Sequence, residues 1–112
     1  MNNVFITEAP SISVLHVEDD SAFAGLTAEM LSEHEGQFTV ETATDASEGL
    51  DRLAANSFDC IVSDYEMPGQ NGIEFLETIR EKYPDLPFVL YAGKGSEAVA
   101  SDAIAAGVTD YL

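Results

Sequence analysis

Residues 60–72 read C-I-V-S-D-Y-E-M-P-G-Q-N-G. Cys60 to Val62 form an apolar run of strand character, and the run delivers one acid, Asp64, to its carboxyl end. Pro68, Gly69 and Gly72 then break the chain before a helix begins. An acid in this place can serve simply as a turn or cap residue. It also stands at the edge where open parallel sheets bind ligands, so its neighbours across the sheet decide between the two readings.

Upstream, Met1 to Ser11 has no clear period, contains Pro10 and reads as a loose leader. Val14 to Val17 make a short apolar strand, with Ile12 just before it and the acid run Glu18, Asp19, Asp20 at its end. His16 interrupts the strand. With no second His or Cys at ligand spacing, it reads as a core or edge histidine rather than a metal ligand. Phe23, Leu26 and Met30 follow at helical spacing, giving a helix to about Ser32, weakened slightly by Gly25. His34 to Gln37 is a polar loop, and Phe38 to Ala43 alternates as a second strand. Asp45 with Glu48 makes a capping-box-like start to a helix that carries Leu50 and Leu53 on one face and ends near Ala55.

Downstream of the opening stretch, with its central strand Cys60 to Ser63, Asn71 and Glu74 repeat the cap pattern. Ile73, Leu76, Ile79 and Tyr83 then keep helical spacing until Pro84 stops the helix. Phe88 to Tyr91 is a fourth apolar strand and runs into the loop Ala92, Gly93, Lys94, Gly95. Ser96 can cap a further helix with Val99, Ala103 and Ala106 on one face and Gly107 at its end. Val108 to Leu112 starts a fifth strand.

Strands that alternate with helices through short connections imply an α/β chain with a parallel sheet covered on both faces. Right-handed crossovers that change sides produce the flavodoxin-like, doubly wound order 2-1-3-4-5, with a switch point between the first and third strands. Glu18, Asp19 and Asp64 then converge in one crevice. Three close carboxylates repel one another and call for a cation, and an all-oxygen set with open positions suits Mg²⁺. A bound Mg²⁺ would also neutralise an incoming phosphoryl group, so that one carboxylate could attack phosphorus. The competing reading is a solvated acidic patch, because acids abound in this chain.

A length of 112 residues fits one domain. No apolar run approaches the roughly 20 residues of a membrane span, and the N-terminus has no signal-peptide pattern, so the expectation is a soluble, cytoplasmic protein. Cys60, the single cysteine, excludes an internal disulfide and reads as a structural thiol. Twenty-one acids against four basic residues give a net charge of −17, which argues against direct binding of nucleic acid or an anionic membrane by this segment.

Three separated motifs carry a family resemblance. V-E-D-D at Val17 to Asp20, D-Y-E-M-P-G-Q-N-G at Asp64 to Gly72 and A-G-V-T-D-Y-L at Ala106 to Leu112 together resemble the receiver domain of two-component response regulators. The resemblance covers about Ser13 to Leu112 and places a receiver domain over residues 12–112. It implies that Asp64 is phosphorylated by a histidine kinase or phosphotransfer domain and that Mg²⁺ is the cofactor. Further, it implies Asp19 and Asp64 as metal ligands, Glu18 as a ligand through water or a weaker one, and the backbone carbonyl of Glu66 as another. Any catalysis would be confined to the domain's own phosphorylation and dephosphorylation.

Two departures from the family pattern stand out. Receivers usually carry Ser or Thr at the end of the fourth strand, and this chain has Ala92. They also carry a Lys two residues beyond the position of Leu112, where this sequence has stopped, so the expectation is a piece of a longer protein that lacks this Lys and the last helix. Tyr111 matches the aromatic position that turns inward on activation in many receivers, and Ala92 puts that coupling in question. Glu66 and Lys94 match positions that flank the phosphoryl site and affect water access; they either approach across its mouth or stand as two independent exposed charges. The alternative is a degenerate receiver acting as a phosphorylation-independent interaction module with an output partner left open by the sequence. An Asp-nucleophile phosphatase is disfavoured, because Glu66 stands where such enzymes carry a second Asp.

The acid excess also fits a halophilic source. Self-repulsion that weakens the fold in dilute buffer is screened at molar salt, where the Debye length falls to about 3 Å. On this hypothesis the melting temperature rises between low and molar KCl in a thermal-denaturation series, and a flat or falling profile contradicts it.

Overall fold

β-Branched and aromatic residues set at alternate positions define five short strands, β1 (Ile12–Val17), β2 (Phe38–Ala43), β3 (Cys60–Asp64), β4 (Phe88–Tyr91) and β5 (Asp110–Tyr111). In this computed structural model, which describes residues 11–20, 25, 38–92 and 97–112, the strands form one sheet in the order β2-β1-β3-β4-β5. All four pairings are parallel. The order is the flavodoxin-like one expected from the alternation of elements. Its register sets Val17 beside Ser63 and Asp64 beside Tyr91, so the carboxyl ends of β1, β3 and β4 lie side by side.

The helices are α1 (Ala46–Ala55), α2 (Gly72–Lys82) and α3 (Glu97–Ala105). Asn71 and Glu74 form a full capping box: the Glu74 N–H donates to Asn71 Oδ1 and the Asn71 N–H to Glu74 Oε1, each at 2.9 Å. At α1 the expected box is only half made. The Glu48 N–H donates to Asp45 at 2.8 Å, but the Glu48 carboxylate turns to the Thr44 N–H at 2.6 Å and the Thr44 hydroxyl at 3.0 Å. Threonine offers two donors where the cap residue offers one. The leader up to Pro10, the Ser96 cap and the expected helix from Phe23 to Ser32 lie outside the described residues, except Gly25, which is helical.

Strand parity builds the core. Leu15 and Val17, Ile61 and Ser63, and Phe88 and Leu90 are buried on one sheet face, where Phe75, Leu76 and Ile79 of α2 pack. Phe75 meets Phe88 edge-on, with ring centroids 5.7 Å apart. Phe58, which has no place in the periodic pattern, is buried in this cluster as well. The fifth strand is shorter than the Val108 to Leu112 expected, because the Val108 N–H instead closes the end of α3 on the Ala103 carbonyl at 3.0 Å. Backbone bonds from Thr109 to Phe88 and from Leu112 to Leu90 continue the ladder on either side of it.

The loop after β3 is held by two glycines with different duties. Gly69 takes φ 81°, a left-handed conformation that side chains disfavour. Gly72 donates to the Tyr65 carbonyl at 2.8 Å, and a Cβ added there would stand 2.5 Å from the Asp64 carbonyl oxygen. Only glycine lets α2 start this close to the strand end, and that closeness folds the 64–72 loop back over the acids. Arg80 secures the far side, donating to the carbonyls of Gly107, Tyr83 and Leu86 at 2.9, 3.0 and 2.7 Å. Among the described residues, no helix is long and apolar enough to cross a membrane.

Candidate functional site

The register brings the acids of β1 and β3 together. Glu18, Asp19 and Asp64 each offer a carboxylate oxygen, and these oxygens lie within 4.8 Å of one another. They border an open depression also lined by Asp20, Glu66 and Met67. Their exposures differ: Glu18 is buried at 5%, Asp64 is half-buried, and Asp19 faces solvent. Five carboxylates converge on this mouth, and no cation stands among the described residues that line it.

Glu18 continues past the end of β1, with its N–H still donating to the Ala43 carbonyl at 2.9 Å. A buried carboxylate needs donors, and Glu18 has one for each oxygen. The Tyr91 hydroxyl donates to Oε1, and the Asp20 N–H donates to Oε2 at 3.1 Å. Behind the phenol, His16 Nε2 lies 3.0 Å from the Tyr91 hydroxyl. The expectation that His16 belongs to the core is met, since it is 1% exposed. Burial pushes the imidazole pKa down, with the Glu18 charge opposing the shift. The Tyr91 phenol is pushed up by burial and then by its bond to Glu18.

Asp64 is raised to about 6, first by burial and next by the charge of Glu18. Hydrogen bonds from the Glu66 and Tyr65 N–H groups oppose the rise, and the Asp19 charge adds to it. An acid so crowded by others, in an open, oxygen-lined depression, has the donor set that a hard divalent cation takes.

The family model described as response regulator receiver domain matches residues 14–112. The chain belongs to that family. This receiver is 35% identical over 98 residues to the transcriptional regulatory protein FixJ of Bradyrhizobium diazoefficiens, covering 88% of this chain and 47% of that protein. It is also 35% identical over 101 residues to hybrid signal transduction histidine kinase D of Dictyostelium discoideum, covering 88% of this chain and 6% of that protein. The receiver therefore spans less than half the length of either relative. Among solved structures, the chemotaxis response regulator CheY4 of Vibrio cholerae has a TM-score of 0.84 at 30% identity, covering 92% of this chain and 86% of that one.

Ala92 follows β4 directly, and its N–H donates to the Leu112 carbonyl at 3.2 Å, so no side-chain hydroxyl reaches the acids from that residue. Tyr111 packs half-buried against the core, and its hydroxyl is buried with no hydrogen-bond partner among the described residues. Glu66 is exposed at the rim of the depression, and Lys94, its expected counterpart, lies outside the described residues. Cys60 is half-buried, and burial followed by the Asp59 charge raises its thiol pKa, which disfavours the reactive thiolate. The bond from Tyr91 to Glu18 is not legible in the sequence alone. The aromatic at the end of β4 was the available signal, but it acquires meaning only once the register sets it beside Asp64.

The raised Asp64 pKa has a definite consequence for stability without metal. The folded value of about 6 exceeds the reference value of 3.8, so the contribution of Asp64 is fully present below the lower value and is lost as pH rises through the higher. Asp64→Asn, which resembles the protonated acid, should then melt higher than wild type in chelator at about pH 7.5, with the gain fading as the pH falls through both values. Melting curves across pH check this, and a constant or inverted difference contradicts it.

Proposed function

We propose that this receiver accepts a phosphoryl group on Asp64 from a phosphohistidine of a histidine kinase or phosphotransfer domain, in a Mg²⁺-dependent reaction. The observation that carries the reading is the approach of the Glu18, Asp19 and Asp64 oxygens to within 4.8 Å of one another. Asp19 and Asp64 would hold the metal directly, with Glu18 through water or more weakly and with the Glu66 carbonyl. When bound, Mg²⁺ supplies positive charge against both the carboxylates and the phosphoryl oxygens.

The chain's own chemistry is brief. An ionised Asp64 oxygen attacks phosphorus, the phosphorus–nitrogen bond of the donor breaks, and the electron pair leaves with the imidazole. An aspartyl phosphate results. Water later attacks phosphorus, restoring the Asp64 carboxylate and releasing inorganic phosphate. Glu66, at the rim, modulates that water's access, and the family resemblance gives Lys94 the same role.

Phosphorylation changes partner binding through the face made by α3 and β5, where Tyr111 lies. The output partner belongs to the whole protein, as a regulator or kinase fused to or recruited by a receiver spanning residues 12–112. The receiver's place is the cytoplasm, and an acidic surface suited to high salt accords with the net charge of −17. Ala92 favours a second reading, in which a degenerate receiver binds its partner regardless of phosphorylation. The complete set of Glu18, Asp19 and Asp64 argues for the first.

Incubation with radiolabelled acetyl phosphate separates them. Label should enter the wild-type chain with Mg²⁺, fail to enter with chelator, and fail to enter Asp64→Asn. Equal labelling of wild type and variant overturns the assignment, and no labelling of either favours the degenerate module.

A further inference from the structure

His16 in β1 and Tyr91 at the end of β4 bring two polar rings into the central strands. They are 75 positions apart in sequence, yet His16 Nε2 lies 3.0 Å from the Tyr91 hydroxyl, with ring centroids 6.0 Å apart. Both stand on the sheet face opposite Leu15, Ile61 and Leu90, the face toward which Asp64 also points by strand parity.

Donor bookkeeping fixes the direction of the chain of bonds. A phenol has one proton, and Tyr91 gives it to Glu18 Oε1. The contact with His16 therefore requires a proton on Nε2, so that His16 donates to the Tyr91 oxygen. A phenol that receives a hydrogen bond while giving one is a better donor, and its ring cannot swing away without breaking both. At the other carboxylate oxygen the Asp20 N–H donates at 3.1 Å. Two donors on two oxygens set the plane of a side chain that otherwise turns about several bonds.

We propose that Tyr91, backed by His16, is a positioning residue that holds the Glu18 carboxylate toward the metal centre, so that β4 supplies its hydroxyl to this site from residue 91 rather than from residue 92. The inference rests on the reading of Glu18, Asp19 and Asp64 as a Mg²⁺ site. It goes further in assigning a role to two residues outside the acid set and in showing what β4 contributes where Ala92 has no hydroxyl. Groups that orient a ligating carboxylate through hydrogen bonds typically change metal affinity by about 10- to 100-fold when removed. Glu18 is the buried member of the cluster, so its orientation depends most on such support.

Calorimetric titration of Mg²⁺ into the 112-residue chain tests this, with Tyr91→Phe, Glu18→Gln and the double variant compared with wild type. Tyr91→Phe should bind Mg²⁺ about tenfold more weakly. In the Glu18→Gln background the same change should alter affinity by less than about twofold, because the carboxylate it orients is gone. A general structural role would instead weaken binding equally in both backgrounds, and that result overturns the proposal. A second readout needs no change at Tyr91: proton NMR of the wild type should show a slowly exchanging phenolic hydroxyl resonance that moves on saturation with Mg²⁺ and is lost in Glu18→Gln. A hydroxyl resonance indifferent to both also overturns it. Wild-type chain that takes up no Mg²⁺ overturns the metal reading together with this inference, whereas normal wild-type uptake with unchanged affinity in Tyr91→Phe overturns this inference alone.

Discussion

Glu18, Asp19 and Asp64 come from two strands and hold carboxylate oxygens within 4.8 Å of one another, so each negative charge raises the cost of the next. Much of the architecture exists to impose that proximity. The switch from β1 outward to β2 on one side and to β3 on the other opens a crevice at the carboxyl edge. Gly72 lets α2 begin against the Asp64 carbonyl, and the half-closed loop of residues 64–72 presents Glu66 at the rim. The buried cluster of Leu15, Ile61, Phe75 and Phe88 supplies the rigidity that prevents the acids from drifting apart.

The molecule relieves the repulsion unevenly. Glu18 is desolvated and is compensated by the Tyr91 hydroxyl and the Asp20 N–H. Asp19 remains in water, where its charge is screened. Asp64 lies between these extremes, its pKa raised to about 6 by burial first and by the charge of Glu18 next. An acid so placed gains from a nearby cation that balances its charge.

What could be read from the sequence follows physical locality. The order of the strands, the Asn71–Glu74 cap and the core stripe of Leu76 and Ile79 each depend on spacings within one element, and all three are legible in the chain. The convergence of Asp64 with Glu18 and Asp19 was legible one step further on, because strand order fixes which ends are neighbours. Departures begin where two elements compete for one group. Glu48 bonds to Thr44 instead of closing the cap, and Val108 closes α3 instead of joining β5. The His16–Tyr91–Glu18 chain depends on register and side-chain reach across three strands, which no local pattern encodes. Arg80, likewise, looks like an ordinary helix cation until its three carbonyl partners are seen.

Asp64 is the residue proposed to form the bond to phosphorus. Borohydride reduction of the chain after exposure to acetyl phosphate and Mg²⁺, followed by peptide mass spectrometry, reads this at the level of one side chain, because an aspartyl phosphate is reduced to homoserine. Homoserine at position 64 and unmodified aspartate at positions 19 and 20 are the expected result. Homoserine at another aspartate, with position 64 intact, would contradict it.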